Sequence, residues 1–159
     1  MNNNNHYLLP GNLFAHREAH IVTTVLGSCV SVCLWDPRNK VGGINHFLLP
    51  FWNGEGLASP KYGNIAISKL IEKMLGLGCD KRNLKAKIFG GSAMFKMTNA
   101  LMNIGERNIV LAQDALNEEN IPIIASDVGG KTGRKIVYNT SVGSISMIRL
   151  SRQIDDIPI

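Results

Sequence analysis

The run TTVLGSCVSVCLWDPRNKVGGINHFLLP, residues 23 to 50, constrains the fold more than any other stretch of this chain. Two segments rich in β-branched and large apolar residues flank Asp36-Pro37-Arg38-Asn39, which places Asp at the first and Pro at the second position of a type I turn. Residues 30–35 and 41–48 therefore read as a β-hairpin. If a four-residue loop closes it, Trp35 faces Lys40, and counting back along both strands sets Cys29 opposite His46. Directly opposed residues share one face with Cβ atoms roughly 4.5 to 5.5 Å apart, so a thiol and an imidazole would meet. A register slip of two residues keeps both on that face, whereas a slip of one separates them.

That pairing suits a nucleophile. A thiol attacks only as its thiolate, and an adjacent imidazolium is expected to raise the thiolate fraction at neutral pH. The Gly27-Ser28 approach predicts a tight backbone turn before Cys29, and N–H groups in such a turn can face the oxygen of a tetrahedral intermediate. Gly27 and Ser28 are thus candidate oxyanion-site residues. The plainer alternative for any cysteine is core filling, which is how Cys33 and Cys79 are read. His6, His16 and His20 have no evident partner.

Other segments rich in β-branched residues lie at 21–26, 85–89, 121–125, 135–139 and 144–150. Helical spacing is clearest over 64–78, where Ile67, Leu70, Ile71, Met74 and Leu75 form one apolar face. Further helices are expected over 106–119 and, shorter, 92–102. Strands outnumber helices but alternate with them in the second half, which predicts an α/β domain of packed mixed β-sheets flanked by helices. The polar MNNNN start reads as a disordered leader over 1–6, leaving 7–159 as one domain. Three cysteines, an odd number, fit a reducing cytoplasm better than a secreted disulfide scaffold, and no apolar run is long enough to span a membrane.

Several chemistries are excluded. The net charge of +5 is carried by scattered lysines and arginines without an aromatic-spaced basic stripe, so nucleic-acid binding is not expected. Cys29 and Cys33, four apart on a strand, would hold their thiols more than ~12 Å apart, too far to share a metal ion. DVGGKTGRK lacks the first glycine of a phosphate-binding loop, Ala125 standing in its place, and reads as a turn joining two strands.

With these motifs in view the chain resembles the CheD family of chemoreceptor glutamine deamidases. The resemblance rests on TTVLGSCVSVCLWDP, VGGINHFLLP, PKYGNIAI, KIFGGSAMF, NIGERNI and DVGGKTGRK. It implies a Cys-His-Thr triad of Cys29, His46 and, six positions before the cysteine, Thr23. Thr24 stands beside it, and alternation along a strand lets only one of the two face Cys29. The resemblance further implies a fold similar to cytotoxic-necrotizing-factor-type deamidases and a thioester route that needs no cofactor. The implied substrates are glutamines, or their methylated glutamate counterparts, on chemoreceptors. A CheC-type phosphatase is the implied second partner and a monomer is expected; GGSAMF (90–95) reads as a Gly-Gly strand end followed by a helix start with Met94 and Phe95 packing inward, with a site-adjacent or partner-binding segment as the alternative. The competing readings are a receptor- or CheC-docking module with little catalysis, and a cysteine hydrolase with another amide substrate.

Overall fold

A computed structural model describes residues 4–93 and 103–153. The order is β1 (Asn5–Tyr7), β2 (Leu13–His16), β3 (Ile21–Leu26), β4 (Val30–Asp36), β5 (Val41–Asn45), α1 (Gly63–Gly76), β6 (Lys85–Gly90), α2 (Ile104–Glu118), β7 (Ile123–Val128), β8 (Thr132–Asn139) and β9 (Ser144–Gln153). Two mixed sheets result, β1-β3-β8-β9 and β2-β5-β4-β6-β7.

The layers follow from which side chains alternate to which face. From the first sheet Val22, Leu26, Ile136 and Tyr138 meet Cys33, Ile44 and Phe89 of the second, forming a core between the sheets. The opposite face of the second sheet carries Val30, Val32, Leu34 and Ile88, against which α1 lays Ala66, Ile67, Leu70 and Met74 and α2 lays Leu111, Ala112 and Leu116. The second sheet is therefore covered on both sides, which is why β4 reads as a nearly continuous apolar run rather than an alternating one. Of the face expected for α1, Leu75 alone is exposed. Asn103 caps α2, its side chain accepting the Glu106 N–H while its amide bonds the Glu106 carboxylate.

One expectation for the N-terminal residues changes. The leader predicted over 1–6 fails from residue 5, because Asn5 and His6 pair in parallel with Ile21 and Val22 as β1. Polar composition concealed a short exposed strand, held by backbone bonds that side chains do not report. β2 was likewise unforeseen, and the expected helix over 92–102 lies almost wholly outside the described residues.

The hairpin forms, but its register is Trp35↔Gly42 and Asp36↔Val41. Asp36 stays in the strand while its carboxylate accepts the Arg38 and Asn39 N–H groups, and Lys40 takes a left-handed φ of 54°. The four-residue loop is thus 37–40 rather than 36–39, and the pairing slips by two residues. A slip of two preserves the face each side chain occupies.

Candidate functional site

The last paired residues before the hairpin strands diverge are Val30 and Phe47, which exchange both backbone hydrogen bonds at 3.1 and 3.0 Å. Cys29 and His46 each precede one of them, so they are diagonal neighbours rather than directly opposed. Both lie on the face that carries Cys33 and Ile44, pointing into the seam between the sheets. Diagonal neighbours of this kind sit roughly 7 to 8 Å apart, within reach of a long side chain. Cys29 is half-buried at the rim of the seam, whereas His46 is almost fully enclosed.

His46 is held by three stretches of chain. The ladder is interrupted at Asn45, whose side-chain carbonyl accepts the Val32 N–H at 2.8 Å. On the other side Asn12 accepts the His46 N–H at 3.1 Å and Gly11 donates to the His46 carbonyl at 2.8 Å. The ring is oriented from the first sheet: Nδ1 lies 2.7 Å from the Thr24 hydroxyl, which also lies 2.8 Å from the Leu8 carbonyl.

These two contacts determine the tautomer. The Leu8 carbonyl can only accept, so it takes the single hydroxyl proton of Thr24, and the hydroxyl must then accept from His46. Nδ1 carries the proton and Nε2 is left with a free lone pair. The hydrogen bond expected of Thr23 is thus made by Thr24. Alternation along β3 sends Val22, Thr24 and Leu26 into the seam and leaves Thr23 outside it, its carbonyl pairing with the Leu8 N–H.

Burial pushes the Cys29 thiol up from its ordinary value and pulls His46 down to about 4. Both shifts disfavour charge, so near neutrality the resting pair is a thiol and a neutral imidazole rather than the thiolate and imidazolium expected from proximity alone. No hydrogen bond joins the two side chains. His46 thus presents a fixed, unprotonated nitrogen on the face of the sheet that also carries the Cys29 thiol.

The backbone before Cys29 is fixed by three carbonyl bonds. Gly27 O accepts from Ser92 N at 2.9 Å, Cys29 O from Gly91 N at 2.9 Å, and Ser28 O from the Asn108 side-chain amide at 3.1 Å. The Gly90–Ser92 corner is braced in turn by Arg134, a fully buried cation that reaches the Ser92 hydroxyl, the Gly129 carbonyl and the Asp127 carboxylate. The DVGGKTGRK segment indeed joins two strands, and its structural role is this brace. Met94 and Phe95 of GGSAMF lie outside the described residues. Cys33 and Cys79 are buried packing thiols. Among the described residues no group of three or more potential metal-binding side chains converges, and no helix is long and apolar enough to cross a membrane.

Two predictions arise here. Thr24→Val removes the acceptor for Nδ1 and should lower turnover by about tenfold or more, while Thr23→Val changes it little. Steady-state rates of the two variants decide between them, and equal losses would refute the assignment to Thr24. The second concerns acid stability. Because His46 binds its proton at about 4 when folded but near 6.5 when unfolded, its contribution is complete above pH 6.5 and is lost as the pH falls toward 4. The loss amounts to about 3 kcal/mol. Urea midpoints should therefore fall less steeply between neutral and acid pH in His46→Gln than in the parent chain.

Comparison with known proteins places the chain in context. Residues 48–149 match the family model described as CheD chemotactic sensory transduction, a match that begins beyond His46. A Trichlorobacter lovleyi protein named "Probable chemoreceptor glutamine deamidase CheD" is 50% identical over 148 residues, covering 93% of this chain and 92% of that protein. A Sulfurimonas denitrificans protein of the same name is 48% identical over 143 residues, covering 89% and 91% respectively. Among solved structures, the Bacillus licheniformis hypothetical protein YfiH superposes with a TM-score of 0.45 at 14% identity, covering 69% of this chain and 49% of that one.

Proposed function

This chain belongs to the CheD family, and on that footing we propose that it is a chemoreceptor glutamine deamidase in which Cys29 is the nucleophile, His46 the general base and Thr24 the group that orients His46. The observation that supports this reading best is the chain of contacts from Leu8 through Thr24 to His46, which leaves Nε2 as a proton acceptor in the seam that Cys29 faces.

The reaction starts from neutral partners. As Cys29 Sγ attacks the side-chain carboxamide carbon of a receptor glutamine, its proton passes to Nε2, and the imidazolium is transient. The carbonyl electron pair moves onto oxygen and returns as the C–N bond breaks, ammonia leaving with the proton from His46. A thioester remains. Water then gives a proton to His46 and attacks the acyl carbon, and the Sγ–C bond breaks to release glutamate and restore the thiol. The same route would hydrolyse a glutamate methyl ester, with methanol as the leaving group. No step calls for a cofactor.

The enzyme would work in the cytoplasm, where the signalling parts of its receptors lie, with a CheC-type phosphatase as a further partner. The two packed sheets with the cysteine at a strand entrance also support kinship of fold with cytotoxic-necrotizing-factor-type deamidases.

The test is incubation with a glutamine-bearing receptor cytoplasmic fragment, following ammonia and a mass gain of about 1 Da per converted residue, with Cys29→Ala as control. Conversion that depends on Cys29 is expected. Receptor binding without conversion would instead identify a docking module, and conversion of other amides alone would identify a different cysteine hydrolase.

A further inference from the structure

Asn108 is the one polar side chain that α2 turns fully inward, on the same face as Leu111 and Ala112. Its Nδ2 donates to Ser28 O at 3.1 Å and to Leu48 O at 3.0 Å. Both neighbours are carbonyls that can only accept, so the amide orientation is fixed by chemistry. Its Oδ1 is buried and has no partner among the described residues. An orphaned buried acceptor costs stability, on the order of 1 to 3 kcal/mol, so the packing of the helix does not by itself account for an asparagine here.

The two carbonyls mark where the hairpin ladder ends. Beyond the Val30–Phe47 pair, continued pairing would send the Leu49 N–H to Ser28 O. Instead the Leu49 N–H goes to Lys61 O, and Asn108 takes Ser28 O in its place. The peptide between Ser28 and Cys29 is trans, so its carbonyl and its N–H point in opposite directions. Anchoring the carbonyl on α2 aims the Cys29 N–H away from the helix, and among the described residues nothing accepts it.

We propose that the Cys29 N–H is an oxyanion donor and that Asn108 is its positioning residue, fixing and polarising the Ser28–Cys29 peptide through the Ser28 carbonyl. This rests on Cys29 being the nucleophile. When Sγ bonds to a carbonyl carbon, the carbonyl π electrons move onto oxygen, and a donor already pointed at that oxygen needs no reorganisation. Ser28 thus contributes through its carbonyl, whose peptide partner is the Cys29 N–H.

Two reagents that share the nucleophile but not the oxyanion separate this role from simple support. p-Nitrophenyl acetate acylates a thiol through a tetrahedral oxyanion, whereas iodoacetamide alkylates it by displacement without one. In Asn108→Leu, close in shape but without donors, and in Asn108→Ala, the acylation burst should slow by about 100-fold while alkylation stays within about threefold of the parent rate. Equal losses in both reactions would show a structural role only, and no loss in acylation would refute the proposal outright. A parent enzyme whose burst survives Cys29→Ala would overturn the nucleophile assignment itself, a separate result from a failure at Asn108.

If the variants do not fold, the unaltered protein still decides. Propionaldehyde forms a hemithioacetal on Cys29, and in a ¹⁵N-labelled sample the Cys29 amide proton should move downfield together with the Asn108 side-chain amide protons. A shift at other amides, or at Cys29 with Asn108 unmoved, would overturn the proposal.

Discussion

Replacing His46 with alanine should lower kcat/KM for glutamine hydrolysis by roughly 10³-fold, the middle of the range for a positioned acid–base group. The loss is expected to be large because burial favours the protonated thiol, so attack needs a positioned acceptor for its proton, the role assigned to Nε2. The pH profile distinguishes this from an ion-pair cysteine enzyme. With His46 titrating at about 4, the acid limb of kcat/KM for the parent enzyme should lie well below pH 6.5, and the base stays competent through the weakly acid range. Iodoacetamide alkylation should instead climb only as the pH approaches and passes the ordinary thiol range, with no plateau at low pH. An alkylation plateau below pH 6 would mean that a thiolate–imidazolium pair pre-exists and that the neutral-pair mechanism is wrong. His46→Gln should behave like the alanine variant in turnover, since its amide cannot accept and return a proton.

What could be read from sequence depended on period and parity. Richness in β-branched residues placed β3 and β4 closely and the second half of β8, and the count back from the turn put Cys29 and His46 on one face even though the turn displaced the register by two residues. Face survives an even slip; distance does not. The choice between Thr23 and Thr24 needed the other sheet. Val22 and Leu26 packing on the second sheet set which threonine looks inward, and the Leu8 carbonyl, sixteen residues away, then holds the Thr24 hydroxyl. β1 escaped notice because its three side chains are polar or exposed, and β2 because its four residues, Leu-Phe-Ala-His, are too short a run to show alternation; both strands are set by backbone pairing. Asn108 left a faint signal, an amide at a helical position whose neighbours one turn on are Leu111 and Ala112. Arg134 left none. A buried arginine between Gly133 and Lys135 looks like any surface cation until Ser92, Asp127 and the Gly129 carbonyl close around it.

Gly90→Ala should cost catalysis more than any other single methyl group added outside the triad. Gly90 adopts φ of 106°, a conformation that side-chain-bearing residues rarely take, and a Cβ there would run into the carbonyl oxygen of Cys29. The obstacle is backbone, which cannot swing aside as a side-chain end can, so either Cys29 or the Gly90–Ser92 corner must move. The corner is held from behind: the Gly91 and Ser92 carbonyls lie so close to Gly105 of α2 that no Cβ would fit between them, and Arg134 holds Ser92 and Gly129. Because the corner is also bonded to Gly27 O and Cys29 O, any displacement is passed on to Cys29. A shift of about 1 Å in a reacting group is enough to reduce turnover by about 100-fold. Strain and lost backbone bonds together should lower unfolding stability by about 2 to 3 kcal/mol. The matched control is Gly76→Ala at the end of α1, where a methyl group meets nothing and helix propensity favours alanine by up to about 1 kcal/mol. Turnover per folded molecule, with folded fraction taken from denaturant curves, separates the two effects. If Gly90→Ala lost stability but kept full turnover per folded molecule, the carbonyl contact at Cys29 would have no part in placing the nucleophile.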